Sequence, residues 1–334
     1  MVKATIAVVV VTYNRKKLLI ECLDAILAGT HLPDKIILVD NGSTDDTPDF
    51  LKAEGYLTNQ LIDYIRLPEN TGGAGGFYQG VKYGYEAGYD WLWLMDDDAE
   101  PEIDALEKLS QYLDEPNVSA LANLKIDLEG EILHPHLGFF DRQTHQNEFD
   151  FDIEIHKKIE DGLVKKPQAL EIAFSSFVGI LVSKKAIEKV GFPNKDFFIR
   201  GDDLEYCLRL NKAGKILLVT DSVILHKEAG DPGAIVKHFL GKIYYRTKYN
   251  RIWLTYFETR NAIWLRKNYA SKTRFYFRTI KYYCRSLIAI LLFDDRKFKR
   301  LQFLTEAYQD GLKGYFDNNK PKILYEKNSD VLVN

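Results

Sequence analysis

Cysteine is scarce. The 334 residues hold three, Cys22, Cys207 and Cys284, dispersed and odd in number. Neither a disulfide framework nor a cysteine-bound metal cluster is expected, and a reducing compartment fits. Long apolar runs are also missing. The nearest, "LIAILLF" at 287–293, falls far short of the ~20 residues a membrane span needs. The opening "MVKATIAVVVVTYNR" carries a short β-branched run without a small-residue cleavage site. It reads as a buried strand and not as a signal peptide. Internal repeats and low-complexity segments are absent too. What is present is globular: 46% hydrophobic and 28% charged residues, in a length that suits one large domain or two ordinary ones.

Charge is unevenly spread. The net value of -3 conceals a stretch from Lys242 to Arg300 with 16 Lys/Arg against 3 Asp/Glu, a balance of +13 that leaves -16 to the rest. An acidic body with a basic, aromatic tail implies two different tasks. The tail suits an anionic membrane interface, though basic side chains also lie over apolar surface in ordinary packed helices. No nucleic-acid-binding motif accompanies the charge.

Along the first 127 residues, strand-like and helix-like runs alternate. Strands are expected at 5–14, 35–43, 61–70, 89–95 and 118–127, with helices at 15–29, 75–88 and about 101–114 and a short capped helix at "TDDTPDFLKAEG". Such alternation predicts an α/β fold with a mostly parallel, Rossmann-like sheet flanked by helices. Ligands of such sheets sit at the carboxyl ends of the strands. The polar clusters lie there: Thr12–Arg15, Asp40–Ser43, Asn70–Gly76 and Asp96–Asp98. Residues 128–170 read as a long loop or small antiparallel insert, 170–191 as strand then helix, and 202–213 as a helix before a strand ending at His226. Beyond 234 the aromatic, basic sequence reads as two or three amphipathic helices.

The most informative run is "WLWLMDDDAEPE" at 91–102. Three adjacent carboxylates repel, and capping a helix at Pro101 would account for only one of them. A divalent cation accounts for more. Asp96 and Asp98 can point to one side while Asp97 turns away, and hard oxygen ligands with open positions favour Mg²⁺ or Mn²⁺. The repulsion among the three would then be relieved when cation and ligand arrive. "GGAGG" at 72–76 is no dinucleotide fingerprint, because Tyr78 stands where the third glycine belongs. It marks a turn, or a close backbone approach to a ligand at a helix N-terminus suited to anions. In "GDDLEY" (201–206), Asp202 and Glu205 match a capping box. Asp203 is left over. A like-charged neighbour and partial burial raise a carboxylate's pKa, which suits a general base. His226 alone would pass for a surface histidine.

Taken in order, these segments resemble the family-2 glycosyltransferases of the GT-A fold over about residues 4–230. "VVVTYNR" is similar to the opening strand that holds the nucleotide base, "VDNGSTDDT" (39–47) to the next nucleotide-contacting turn, and "NTGGAGGFYQG" (70–80) to the segment that follows. Asp96-x-Asp98 resembles the DxD metal motif, "FFIRGDDLEY" the acidic motif carrying the base, and His226 the histidine completing the metal site in some members. The galactofuranosyl- and rhamnosyltransferase branch is closer, through "NTGGAGGF", "DDLEYCLR" and "YYRTKYNRIWL…RNAIWLRKN". Where that branch often has tryptophan before the paired aspartates, this chain has Gly201.

The resemblance implies a catalytic domain over 1–230 and a helical C-terminal region over 231–334. It implies inverting transfer of a sugar, first galactofuranose from UDP-galactofuranose and second rhamnose from dTDP-rhamnose, to a hydroxyl of a glycan or polyprenyl-linked acceptor. Asp96, Asp98 and His226 would hold Mn²⁺ or Mg²⁺, and Asp203 would act as base. Thr12, Asn14, Arg15, Asp40, Asn41, Gly72, Gly73 and Asp97 would contact the donor. Asp202, Phe177 and Gly179 would line the acceptor side. A cytoplasmic enzyme, peripheral on the inner face of a bacterial membrane and open to homo-oligomerisation, completes the expectation. Two other classes compete. A nucleotidyltransferase should carry glycines after the first strand, which "VVTYNRKK" lacks. A non-catalytic nucleotide- or carbohydrate-binding module would not need both metal acids and a base.

Overall fold

Buried β-branched runs set the frame. In the computed structural model, which describes residues 4–138, 168–227, 234–239 and 241–327, Ile6–Thr12 forms β1 with every residue buried. Parallel strands covered on both faces read as such unbroken apolar runs. β2 (Lys35–Asp40), β3 (Ile62–Arg66) and β4 (Trp91–Asp96) join β1 in parallel, in the order β3-β2-β1-β4. Next comes β10 (Ile180–Ser183), antiparallel to both β4 and β6 (Val118–Ile126). β11 (Lys215–His226) runs parallel to β6, and β5 (Ala99–Pro101) and β8 (Ala169–Ile172) pair antiparallel with β11. Two short strands, β7 (Leu137–Gly138) and β9 (Phe174–Ser175), pair beside this nine-stranded sheet.

Helices cover both faces. α1 (Lys16–Leu27), α2 (Thr47–Ala53) and α4 (Ala105–Ser110) pack on the layer containing Val8, Val10, Leu38 and Trp93. α3 (Gly72–Glu86), α5 (Lys184–Val190) and α6 (Asp202–Ala213) pack on the opposite layer, with Val9, Val39 and Leu92. The period-2 pleat sorts β1 between these two cores, Ala7, Val9 and Val11 into one and Ile6, Val8 and Val10 into the other.

Two expectations are corrected. The helix expected at about 101–114 starts only at Ala105, and Pro101 lies in β5, paired with Ile224. Proline is tolerated on such an edge strand because the ladder loses little from its missing N–H. The region beyond 234 opens with an antiparallel strand pair, β12 (Ala234–Phe239) and β13 (Lys242–Thr247). Its "KIYYRT" is rich in the β-branched and aromatic residues that fit a pleated surface, and Gly241 takes the left-handed φ of 71° that the turn requires. Four helices follow among the described residues: α7 (Ile252–Tyr269), α8 (Lys272–Phe293), α9 (Lys297–Lys313) and α10 (Lys320–Lys327). Of the stretch 128–170, residues 139–167 lie outside the described residues.

Described residues fall into two compact units. One holds the nine-stranded sheet with its helices. The other holds the β12–β13 pair, α7 to α10 and the segment 196–201. In the second unit, Tyr256 and Phe257 of α7 pack with Phe303 and Ala307 of α9 and Leu324 of α10, and Ile263 packs with Ile290 of α8.

Candidate metal and nucleotide-sugar site

Strand register assembles the acidic centre. β1 and β4 pair with Val11 opposite Asp96, which sets Thr12 beside Asp97. Thr12 Oγ1 donates to Asp97 Oδ2 at 2.6 Å. The chain reverses after Asp98 into β5, whose Ala99 pairs with His226 at the end of β11. That antiparallel pairing carries a histidine 128 residues away to Asp98, with His226 Nε2 3.2 Å from Asp98 Oδ1. Asp96, Asp98 and His226 each offer a ligand atom, and the three atoms lie within 4.8 Å of one another.

This set fits a divalent cation on its own chemistry. Burial, then the charge of Asp98, pushes the Asp96 carboxyl well above the usual carboxylate range. A cation nearby would favour its ionised form. His226 is 7% exposed, and its Nδ1 is buried without a hydrogen-bond partner. Two carboxylates and an imidazole with open positions suit Mn²⁺ or Mg²⁺.

Arg15 already offsets part of the repulsion among the aspartates. Its guanidinium pairs with Asp97 and, through Nη1 at 2.8 Å, with Asp98 Oδ2. Burial opposes the Arg15 charge, but Asp97, Asp98 and Asp96 outweigh it and hold the group above its ordinary pKa. Burial also lifts Asp97 to about 6, with Arg15 and Thr12 limiting the rise. The sequence hid this partner because Arg15, just before α1, and Asp97, just after β4, follow the ends of two neighbouring strands that are far apart in the chain.

The residues expected at the nucleoside form a hydrogen-bonded turn cluster. Asn14 is exposed, has φ 56°, accepts from Thr44 N at 2.8 Å and donates its own N–H to Ser43 Oγ at 3.0 Å. Asp40 is fully buried and accepts from Ser43 N (2.8 Å) and Tyr64 Oη (2.6 Å). Asn41, 2% exposed, ties the end of β2 to the start of α3 by donating to Gly72 O (2.8 Å) and accepting from Thr71 N (3.0 Å). An open depression beside them is lined by Gly42–Thr44 and Arg66–Pro68. Thus Asn14 faces outward, while Thr12, Asp40, Asn41 and Asp97 act from below the surface.

The glycine run divides by function. Gly72 has φ 75°, and an added Cβ on Gly73 would meet nothing within 4 Å. Gly76 instead packs on β1, where a Cβ would come 2.4 Å from Val11 Cγ1. Backbone approach to a ligand is open at Gly73 and closed at Gly76.

Phe177 and Gly179 lie in the core. Phe177 is 3% exposed with its ring 4.7 Å from that of Phe77, and a Cβ on Gly179 would strike Ile224 Cδ1 at 2.2 Å. Both are tightly packed positions. Asp202 and Asp203 open α6. Asp202 is 7% exposed and raised to about 8, first by burial and then by Asp203, and its charge is felt at Asp96. Glu205, expected to close a capping box, takes hydrogen bonds from Arg209 Nε (2.8 Å) and Nη2 (2.6 Å).

Two neighbours were not singled out from the sequence. The His136 ring stands edge-on to His226 at 4.8 Å, with Nδ1 2.8 Å from Ser176 Oγ. Lys125, fully buried in β6, is lowered to about 7 by burial and contacts Ser175 Oγ. "HPH" at 134–136 was the only legible hint for the first. A lysine inside a strand gave none for the second.

Known proteins resemble this chain in sequence and in fold. Residues 7–191 match the model for glycosyl transferase family 2. The chain is 29% identical over 216 residues to galactofuranosyltransferase GlfT1 of Mycolicibacterium smegmatis, covering 63% of this chain and 66% of that one. It is 26% identical over 227 residues to the dTDP-rhamnosyl transferase RfbF of Shigella flexneri, covering 67% and 70%. The chain thus spans just under two thirds of the length of the first of these relatives. A crystal structure of GalNAc-T7 with UDP, GalNAc and Mn²⁺ superposes with a TM-score of 0.59 at 14% identity, over 99% of this chain and 58% of that one. That likeness establishes a shared fold.

Proposed function

Since this chain belongs to glycosyl transferase family 2, we propose that it is an inverting, metal-dependent glycosyltransferase. It moves a sugar from a nucleotide-sugar donor to a hydroxyl of a glycan or polyprenyl-linked acceptor in surface-polysaccharide synthesis. The observation that carries this reading is the convergence of Asp96, Asp98 and His226 at the ends of β4 and β11. UDP-galactofuranose is the first donor and dTDP-rhamnose the second, following the names of the relatives. Residues 1–230 form the catalytic domain and 231–334 the C-terminal region.

In this reading Asp96, Asp98 and His226 hold Mn²⁺ or Mg²⁺. Bound by these residues, a divalent cation would supply positive charge that stabilises the leaving nucleoside diphosphate. Asn14 meets the nucleoside, Thr12, Asp40, Asn41 and Asp97 fix the shape of the turns around it, and Gly72–Gly73 pass close to the donor. Asp203 takes the proton of the acceptor hydroxyl as that oxygen attacks the anomeric carbon in line. The bond to the diphosphate breaks on the opposite face, so one displacement inverts the configuration. Asp202 borders the acceptor.

A panel of nucleotide sugars with Mn²⁺ or Mg²⁺, followed by nucleoside diphosphate release, tests the reading. Release from UDP-galactofuranose that stops when a chelator is added is expected. Asp203→Asn should fold and bind donor while losing roughly 10²–10⁴-fold in turnover. Turnover that persists with the chelator removes the metal, and wild-type turnover in Asp203→Asn removes that base. Pyrophosphate release would favour a nucleotidyltransferase. Donor binding without any release would favour a binding module.

A further inference from the structure

The segment just before the acidic pair follows an unusual path. Phe198 (φ 66°), Arg200 (φ 69°) and Gly201 (φ 85°) all occupy the left-handed region. For the two non-glycine residues this path is strained and persists only where surroundings enforce it.

The enforcing groups are two consecutive residues of α7. The Asn261 side-chain amide, 1% exposed, donates to the carbonyls of Phe197 (3.0 Å), Ile199 (3.0 Å) and Arg200 (2.8 Å). Its two protons are shared among three acceptors, so the amide fixes all three carbonyl directions together. Arg260, fully buried, donates Nη2 to the carbonyls of Asp196 (3.2 Å) and Phe197 (3.0 Å) and Nε to Asn261 Oδ1 (3.0 Å). Its guanidinium lies 4.9 Å from the Phe257 ring and 4.8 Å from the Phe316 ring. The Phe198 ring stacks on Phe257 at 4.8 Å. Burying an arginine whose hydrogen bonds all go to neutral oxygens is expensive, and packing the helices would not require it. The residues that follow are Asp202 and Asp203.

We propose that Arg260 and Asn261 are positioning residues: they clamp 196–201 in a strained path that fixes where Asp202 and Asp203 emerge. This rests on the reading of that pair as the base and acceptor-side acids. It gives the "RN" of the C-terminal sequence a role that composition and charge did not.

The test uses the full chain with Asn261→Ala and Arg260→Lys, the second keeping the charge but losing the planar fork. Hydrogen exchange without metal or donor should rise about tenfold or more across 196–205, while peptides from β1 and β4 keep their protection. Nucleoside diphosphate release should show kcat down about 10²-fold with donor KM within about threefold, as for a misplaced catalytic group. Arg260→Lys should show the same split, smaller. If Asn261→Ala does not fold, Asn261→Ser replaces it. Unchanged protection at 196–205 overturns the clamp, and so does raised exchange with unchanged kcat. Should wild type turn over no donor, the glycosyl-transfer reading fails by itself, and the exchange result still decides whether the clamp exists.

Discussion

Arg15 supplies the charge that lets Asp97 and Asp98 share one buried corner. Opposite charges a few ångströms apart favour each other's ionised forms, so Arg15 both steadies the acids and competes with a cation for them. Arg15→Met should therefore raise the Mn²⁺ affinity of the donor-free protein, on the order of tenfold. Electron paramagnetic resonance of free Mn²⁺ measures this, and unchanged or weaker binding would show that Arg15 is no competitor. Asp202 makes a pH prediction. Its carboxyl is held at about 8, by burial and then by Asp203, against an ordinary value near 4. The folded state keeps the proton longer than the unfolded state. This contribution to stability is complete below the ordinary value and is lost as pH rises through about 8. Urea denaturation of metal-free protein should show stability falling between about pH 5 and 8.5, and Asp202→Asn should flatten that fall. An identical slope in the variant would contradict the assignment.

Elements explain why α3 lies so close to the sheet. Gly76, Gly80 and Gly84 recur every four residues along one helix face, and added Cβ atoms would stand 2.4, 2.3 and 2.5 Å from Val11, Val9 and Leu92 side chains. Gly80→Ala should destabilise the protein by about 1–3 kcal/mol through overpacking. Gly73→Ala, with nothing in its way, should sit within about 0.5 kcal/mol of wild type or gain slightly. Thermal denaturation distinguishes the two, and equal effects would refute the packing account. The same helix shows the limit of motif reading. "GGAGG" looked like a ligand loop, yet its last glycine serves the core, because helix-to-sheet distance is a tertiary quantity. α8 presents a contrasting face. Tyr276, Phe277, Ile280, Ile288, Leu291 and Leu292 are exposed along it at three- and four-residue spacing, with Lys281 and Arg285 exposed nearby.

At the scale of the molecule, the +13 balance of 242–300 and the apolar stripe of α8 together suit an anionic membrane surface. Among the described residues no helix is long and apolar enough to cross a membrane. The full chain should cosediment with vesicles containing anionic lipid and not with zwitterionic ones. Binding should weaken as salt rises, and Ile280→Asp with Leu291→Asp should abolish it. Equal recovery in all supernatants would leave the tail as a packing layer. The amino-acid sequence by itself determined the alternating α/β frame, the strand that delivers Asp96–Asp98, the family and the charge split, because periodicity, β-branching and charge are local properties. Only the tertiary structure decided that β5 turns back to bring His226 to Asp98, that Arg15 pairs with Asp97 and Asp98, that Phe177 and Gly179 are core, and that Arg260 and Asn261 grip 196–201. Each of these depends on strand register or helix packing between residues distant in the chain, and a linear pattern holds no record of such pairings.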